Sequence, residues 1–109
     1  MPKATDLVHG MLDLLILKTI EREAKHGWAI AKEIQQTSSE ELQIQQGSLY
    51  PALHRLEQQA WIKAEWRESG TGRQAKFYSL TKAGRKQMER ELANWRRLSK
   101  AINSVVQPA

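Results

Sequence analysis

The sequence lacks cysteine entirely. That excludes disulfides, thiolate nucleophiles, iron–sulfur clusters and cysteine-ligated zinc, and it fits a reducing cytoplasm. Long apolar runs are missing as well. The longest stretch, Leu7 to Ile20, is interrupted by His9, Asp13 and Lys18 and is too short to cross a bilayer. With Asp13 inside it and no small-residue cleavage site after it, it does not read as a signal peptide. Internal repeats and low-complexity segments are absent. The 109 residues also fall far short of a barrel or doubly wound enzyme fold. What remains is one intracellular domain, 40% hydrophobic, with enough apolar content for one modest core.

Acidic side chains are in short supply, 12 against 17 Lys and Arg, for a formal net charge of +5. The deficit is uneven: residues 1–46 carry net −2, residues 47–76 net +2 and residues 77–109 net +5. A basic second half suggests a polyanionic partner, nucleic acid ahead of anionic lipid.

Periodicity supplies the elements. Thr5 or Asp6 is placed to cap a first helix running to about Lys25, with Leu12, Leu15, Ile16 and Ile20 in one stripe. Val8, Met11, Leu14 and Leu17 widen that stripe, so the helix is expected to pack on two sides, one of them against a second subunit. Gly27 reads as its terminator. A second helix is expected from Trp28 to about Gln36, with Trp28, Ile30, Ala31 and Ile34 available for the core. The alternation of Leu42-Gln43-Ile44 is that of a very short strand. The third helix is expected from Gly47-Ser48 to about Ala60, with Ser48 as its cap because Pro51 is tolerated only in a first turn. Its buried arc is Leu49, Leu53, Leu56 and Ala60. Gly47, Pro51, His54, Arg55 and Gln58 lie on the far side, with Ser48 and Tyr50 at the edges. Ile62, Ala64 and Trp66 alternate with charged residues as a half-buried strand. The glycine-punctuated loop Glu68–Gln74 and a return strand Lys76–Leu80 complete a hairpin. Thr81 caps a final helix of residues 81–106, roughly 39 Å long at 1.5 Å per residue. That outgrows the ~26 Å diameter of a domain this size, so the stripe Met88, Leu92, Trp95 and Ile102 is expected to meet a second copy.

This order is that of a winged helix-turn-helix: a mostly helical α+β fold whose third helix enters the major groove and whose hairpin is the wing. The residue types fit the task. A helix N-terminus at Gly47 and Ser48 can hold a phosphate. His54, Arg55 and Gln58 face outward, and the Arg fork matches guanine O6 and N7. Tyr50 can bond a phosphate or pack on a sugar. Arg73 and Lys76 bring charge to the wing, beside Gln74.

Three strings carry a closer likeness. His26-Gly27-Trp28-Ala29-Ile30 resembles the His-Gly-Tyr opening of the second helix in PadR-like transcriptional regulators. Gly47-Ser48-Leu49-Tyr50-Pro51-Ala52-Leu53-His54-Arg55-Leu56-Glu57 resembles their recognition helix almost residue for residue. Arg73 to Gly84 is similar to their wing strand and the Leu-Thr-x-x-Gly entry to the last helix. The likeness covers about residues 7–98. Trp28 stands where the family usually has Tyr, Gln74 lies in a wing that is often all Arg and Lys, and Phe77 replaces a frequent Tyr. The resemblance implies a DNA-binding domain over residues 1–80 and a dimerisation helix over 81–109, as in the family's shorter branch. It implies a homodimeric repressor on an inverted-repeat operator in double-stranded DNA, released by a small aromatic effector. The interface, and any effector slot in it, would involve Leu14, Leu17, Met88, Leu92, Trp95 and Ile102. Trp95 there either packs against the partner or stacks on a planar ligand.

Other chemistry finds little support. His9, His26 and His54 lie on three elements without metal-ligand spacing. Ser48 has no His/Asp partner, and Gly70-x-Gly72 lacks the strand-to-helix setting of a nucleotide loop. No catalytic residue, metal, cofactor or membrane contact is expected. The competing reading is a winged-helix protein-interaction module without sequence-specific DNA binding.

Overall fold

The structure, a computed structural model, describes residues 11–107. The expected caps Thr5 and Asp6, with Val8, lie outside them. Helix α1 (Leu12–Thr19) is apolar on nearly every side, and Leu12, Leu14, Ile16 and Leu17 are all buried. It contacts three other helices and forms the centre of the core. It ends well before Lys25. The Thr19 hydroxyl donates back to the Leu15 carbonyl at 2.6 Å, and the Lys25 ammonium donates to the Thr19 carbonyl at 3.1 Å. A cation on the last carbonyls suits the negative end of the helix.

The short strand is β1 (Lys25–His26), which pairs antiparallel with the hairpin through Lys25↔Tyr78 and His26↔Phe77. It therefore precedes the second helix, and Leu42–Ile44 forms no strand. Gly27 is likewise not a terminator. It opens α2 (Gly27–Thr37), whose N-cap is His26: Nδ1 accepts from the Ala29 N–H at 3.2 Å. Gly27 leaves room for the Tyr50 side chain. A Cβ there would stand 3.0–3.2 Å from the Tyr50 ring and hydroxyl. Ile30 and Ile34 are buried, whereas Trp28 is 58% exposed, against expectation. At about 100° per residue Trp28 points some 160° away from Ile30.

Helix α3 (Gln46–Gln58) starts earlier than expected, so Ser48 is not its cap. The extended residue Gln45 precedes the helix, and its carbonyl accepts from the N–H groups of both Ser48 and Leu49. Pro51 consequently sits inside the helix, with no N–H for the carbonyl four residues back. Leu49, Ala52, Leu53 and Leu56 are buried; each large aliphatic side chain there is worth about 1.5–3 kcal/mol. Ala60, expected in this arc, is exposed instead. The helix ends in a Schellman turn: Trp61 N–H donates to the Leu56 carbonyl and Ala60 N–H to the Glu57 carbonyl, with Ala60 left-handed at φ 61°.

Strands β2 (Ile62–Glu68) and β3 (Gln74–Leu80) pair from Ile62↔Leu80 to Glu68↔Gln74, giving the sheet order β1-β3-β2. Burial fades along the hairpin. Ile62 and Tyr78 are in the core, but Trp66, on the Ile62 face, is 66% exposed because the strands run past the helices. Residues 69–73 close the hairpin through Ser69 N–H to the Arg73 carbonyl at 2.7 Å, with Gly72 at φ 81°.

Helix α4 (Lys82–Val106) is locked onto the corner between α3 and β2. The Thr81 hydroxyl accepts from the Gly84 N–H at 2.9 Å and donates to the Ala60 carbonyl at 2.7 Å, while the Thr81 N–H donates to the Trp61 carbonyl at 3.1 Å. Gly84 and Met88 are buried in the shared core. From Ala93 onward α4 is almost wholly exposed, and the molecule extends 55 × 28 × 21 Å.

Candidate nucleic-acid interface

Helix α3 presents three zones. Gly47, Pro51, His54 and Gln58 recur at four- and three-residue spacing, and all are exposed. They form the outward face, opposite Leu49, Ala52 and Leu56. Tyr50 and Glu57 lie on the edge toward the sheet. Ser48 and Arg55 lie on the opposite edge, toward α1. At the N-terminus the amides of Gln46 and Gly47 have no partner among the described residues, since those of Ser48 and Leu49 are used. The positive end of the α3 dipole is therefore presented by Gln46 and Gly47 rather than by Ser48.

Both edges are fixed by ion pairs across elements. Arg55 Nη2 donates to Asp13 Oδ1 of α1 at 2.8 Å. Lys76 Nζ of β3 donates to Glu57 Oε1 at 3.2 Å. Two cations read from the sequence as DNA contacts are thus already engaged by carboxylates. Lys76 also lies near the ring of Tyr78, whose hydroxyl is pushed up in pKa, chiefly by burial. Arg73 and Gln74 stand exposed at the far end of the hairpin, away from the edges of α3.

One flank was missed in the sequence. Lys32 Nζ sits 4.6 Å from the centroid of the exposed Trp28 ring, which stacks near His26. Trp28, Lys32, Gln46 and Tyr50 line a cleft of about 350 Å³ between α2 and the start of α3. The signal was present: Trp28 is out of phase with Gly27, Ile30 and Ile34, the buried stripe of α2.

The residues assigned to an intersubunit face divide. Leu14, Leu17 and Met88 are buried in the chain's own core, and Leu92 is half-buried against it. None of the three buried side chains has surface to offer a partner or effector. Trp95 at 43% exposure and Ile102 at 55% do, and they continue into exposed Leu98, Val105 and Val106. Among the described residues no cluster of His, Asp or Glu forms a metal site, and no helix is long and apolar enough to cross a membrane.

Three helices around one core, with the third turned outward beside a hairpin carrying more Lys and Arg than Asp and Glu, define a winged helix-turn-helix DNA-binding protein. The transcriptional regulator PadR-like family matches over residues 16–90, and the chain belongs to that family, whose members regulate transcription rather than catalyse reactions. A transcriptional regulator from Clostridium thermocellum is 28% identical with a TM-score of 0.85, over 94% of this chain and 99% of that one. A PadR-like regulator from Bacillus cereus is 25% identical with a TM-score of 0.82, over 95% and 99%. A PadR family regulator from Clostridium difficile is 31% identical with a TM-score of 0.76, over 89% and 99%.

Proposed function

We propose that the chain is a homodimeric repressor that acts in the cytoplasm on an inverted-repeat operator. Each α3 enters a major groove, with Gly47, Pro51, His54 and Gln58 toward the base edges and Ser48 and Tyr50 at the flanks. Arg73 and Gln74 bring the tip of the wing to the backbone, where contacts position without reading sequence, and Lys76, paired to Glu57, adds its charge at the base of the wing. The DNA-binding unit extends past the expected boundary at residue 80, because Met88 and Leu92 at the start of α4 pack on its core, and the dimerisation arm begins near residue 93. The single observation that carries the reading is the pairing of an exposed polar face on α3 with an uncovered apolar stripe, Trp95, Leu98, Ile102 and Val105, on the distal half of α4. The stripe supports a second copy, because a lone helix arm gains nothing from exposing it. Trp95 packs in that interface, and a small planar aromatic effector that wedges against it releases the DNA.

The test is a duplex titration across a salt series, run beside sedimentation. Each phosphate contact contributes about −0.9 to the slope of log K against log salt. Two recognition helices predict half-sites centred roughly 34 Å apart. A slope near zero, or a sedimenting monomer that protects one half-site, would overturn the proposal.

A further inference from the structure

Asp13 and Arg55 are 42 residues apart in the chain, and the pair joins α1 to the recognition helix. Its Asp13 end is the sheltered one, 26% exposed, and the pair as a whole is about as exposed as the Lys76–Glu57 brace on the other edge. On α4, the Glu91 carboxyl lies close enough to feel Asp13. Burial first, and the Asp13 charge second, push its pKa up, and its Oε2 has no hydrogen-bond partner among the described residues. Were Arg55 to swing out to DNA, the Asp13 carboxylate would lose its cation while Glu91 stayed beside it. Like charges brought together in a half-buried site are unfavourable. The position of Arg55 at the edge of α3, rather than on the face with His54 and Gln58, points the same way.

We propose that Asp13 is the positioning residue of the recognition helix: it holds Arg55 as a strut that sets how α3 meets the groove, and Arg55 itself touches no base. The inference rests on the DNA-binding reading above. It reverses the role that residue type alone gives to Arg55, since an outward Arg on such a helix otherwise reads as a guanine contact.

The experiment first lets the wild-type chain select its tightest duplex from a randomised pool. Affinity is then measured on that duplex and on a random-sequence duplex of equal length, with the unfolding midpoint alongside. The readout is the ratio of the two affinities, in which the long-range field of an altered charge cancels. Asp13→Asn and Arg55→Met should each lower the ratio about threefold to fivefold, the scale of a partly exposed ion pair. The two effects should not add, and the salt slope should stay in place. The exchanged pair, Asp13→Arg with Arg55→Asp, should restore the ratio to within about twofold, because a strut works in either polarity. If Arg55→Met lowers the ratio while Asp13→Asn leaves or raises it, or if the exchange fails to rescue, Arg55 reads DNA directly and the proposal falls. A common loss on both duplexes with a shallower salt slope makes Arg55 a phosphate anchor. A common loss with a lowered midpoint makes the pair a general stabiliser. Either overturns the proposal. A wild-type chain that prefers no duplex overturns the DNA-binding reading itself, and this inference with it.

Discussion

Replacing Gly84 by alanine reverses a familiar rule. In an ordinary helix the exchange is favourable by about 1 kcal/mol, because alanine loses less backbone freedom on folding. At residue 84 a Cβ would lie 1.9 Å from the Trp61 carbonyl oxygen and 2.8 Å from its carbon, both backbone atoms that no rotamer change can clear. Relief requires α4 to withdraw from the α3–β2 corner by more than an ångström. Three hydrogen bonds hold that corner: Thr81 N–H to Trp61, the Thr81 hydroxyl to Ala60, and the Gly84 N–H to the Thr81 hydroxyl. Each is worth about 1 kcal/mol. Retreat would also loosen Met88 from the core. With overpacking costs of about 1–3 kcal/mol, and after subtracting the helix-propensity gain, Gly84→Ala should destabilise the chain by about 2–4 kcal/mol. For a domain of this size each kcal/mol moves the midpoint by about 4–8 °C, so thermal unfolding followed by circular dichroism should fall by at least about 8 °C. An alanine variant as stable as the wild type would refute the claim that glycine is required here for space.

Ala60 occupies the left-handed position that glycine favours; Ala60→Gly should raise stability by about 0.5–1 kcal/mol in urea denaturation, and a loss would contradict the Schellman geometry. Glu91 titrates above the ordinary carboxylate range, so the folded chain holds this proton more tightly than the unfolded one. Its contribution is present below the usual Glu pKa and is lost as pH rises through the folded value. Glu91→Gln should therefore flatten the fall in stability across that window, by less than about 1 kcal/mol given the group's partial exposure; an unchanged midpoint-versus-pH curve would count against it. Trp95→Ala combined with Ile102→Ala should weaken self-association by about 2 kcal/mol or more, read by sedimentation at falling concentration, while the unfolding of the monomer core stays near its original value.

Much of the architecture could be read from local pattern. The α3 string, the hairpin and the Thr81 cap each rest on residues within a few positions of one another. What escaped the sequence was decided over long distance or by too few residues. Strand β1 has two residues and so no period to detect; only its pairing with Tyr78 and Phe77 makes it a strand. Gly27 looked like a helix terminator because the Tyr50 ring packed over it comes 23 positions later. Trp66 follows the strand alternation faithfully, but periodicity reports which face a residue takes and not whether anything covers it. Arg55 was legible as outward-facing and its partner was not, since nothing near residue 55 announces an acid on the first helix. For Leu17 and Met88, sequence pattern identified an apolar stripe correctly but gave no means of dividing it between the chain's own core and a partner.

The Thr81–Gly84 joint makes α4 a lever. Its 25 residues reach roughly 37 Å from a fulcrum fixed against the α3–β2 corner. A tilt of about 5° at that fulcrum carries the distal end through about 3 Å, close to the ~3.4 Å rise of one base-pair step. In the proposed dimer the two levers meet at their distal halves, so their angles set the distance between the recognition helices. The stiffness of one threonine-and-glycine corner thereby becomes a tolerance on operator spacing: a rigid corner accepts one half-site separation, and a corner loosened by a few degrees accepts its neighbours a base pair longer or shorter.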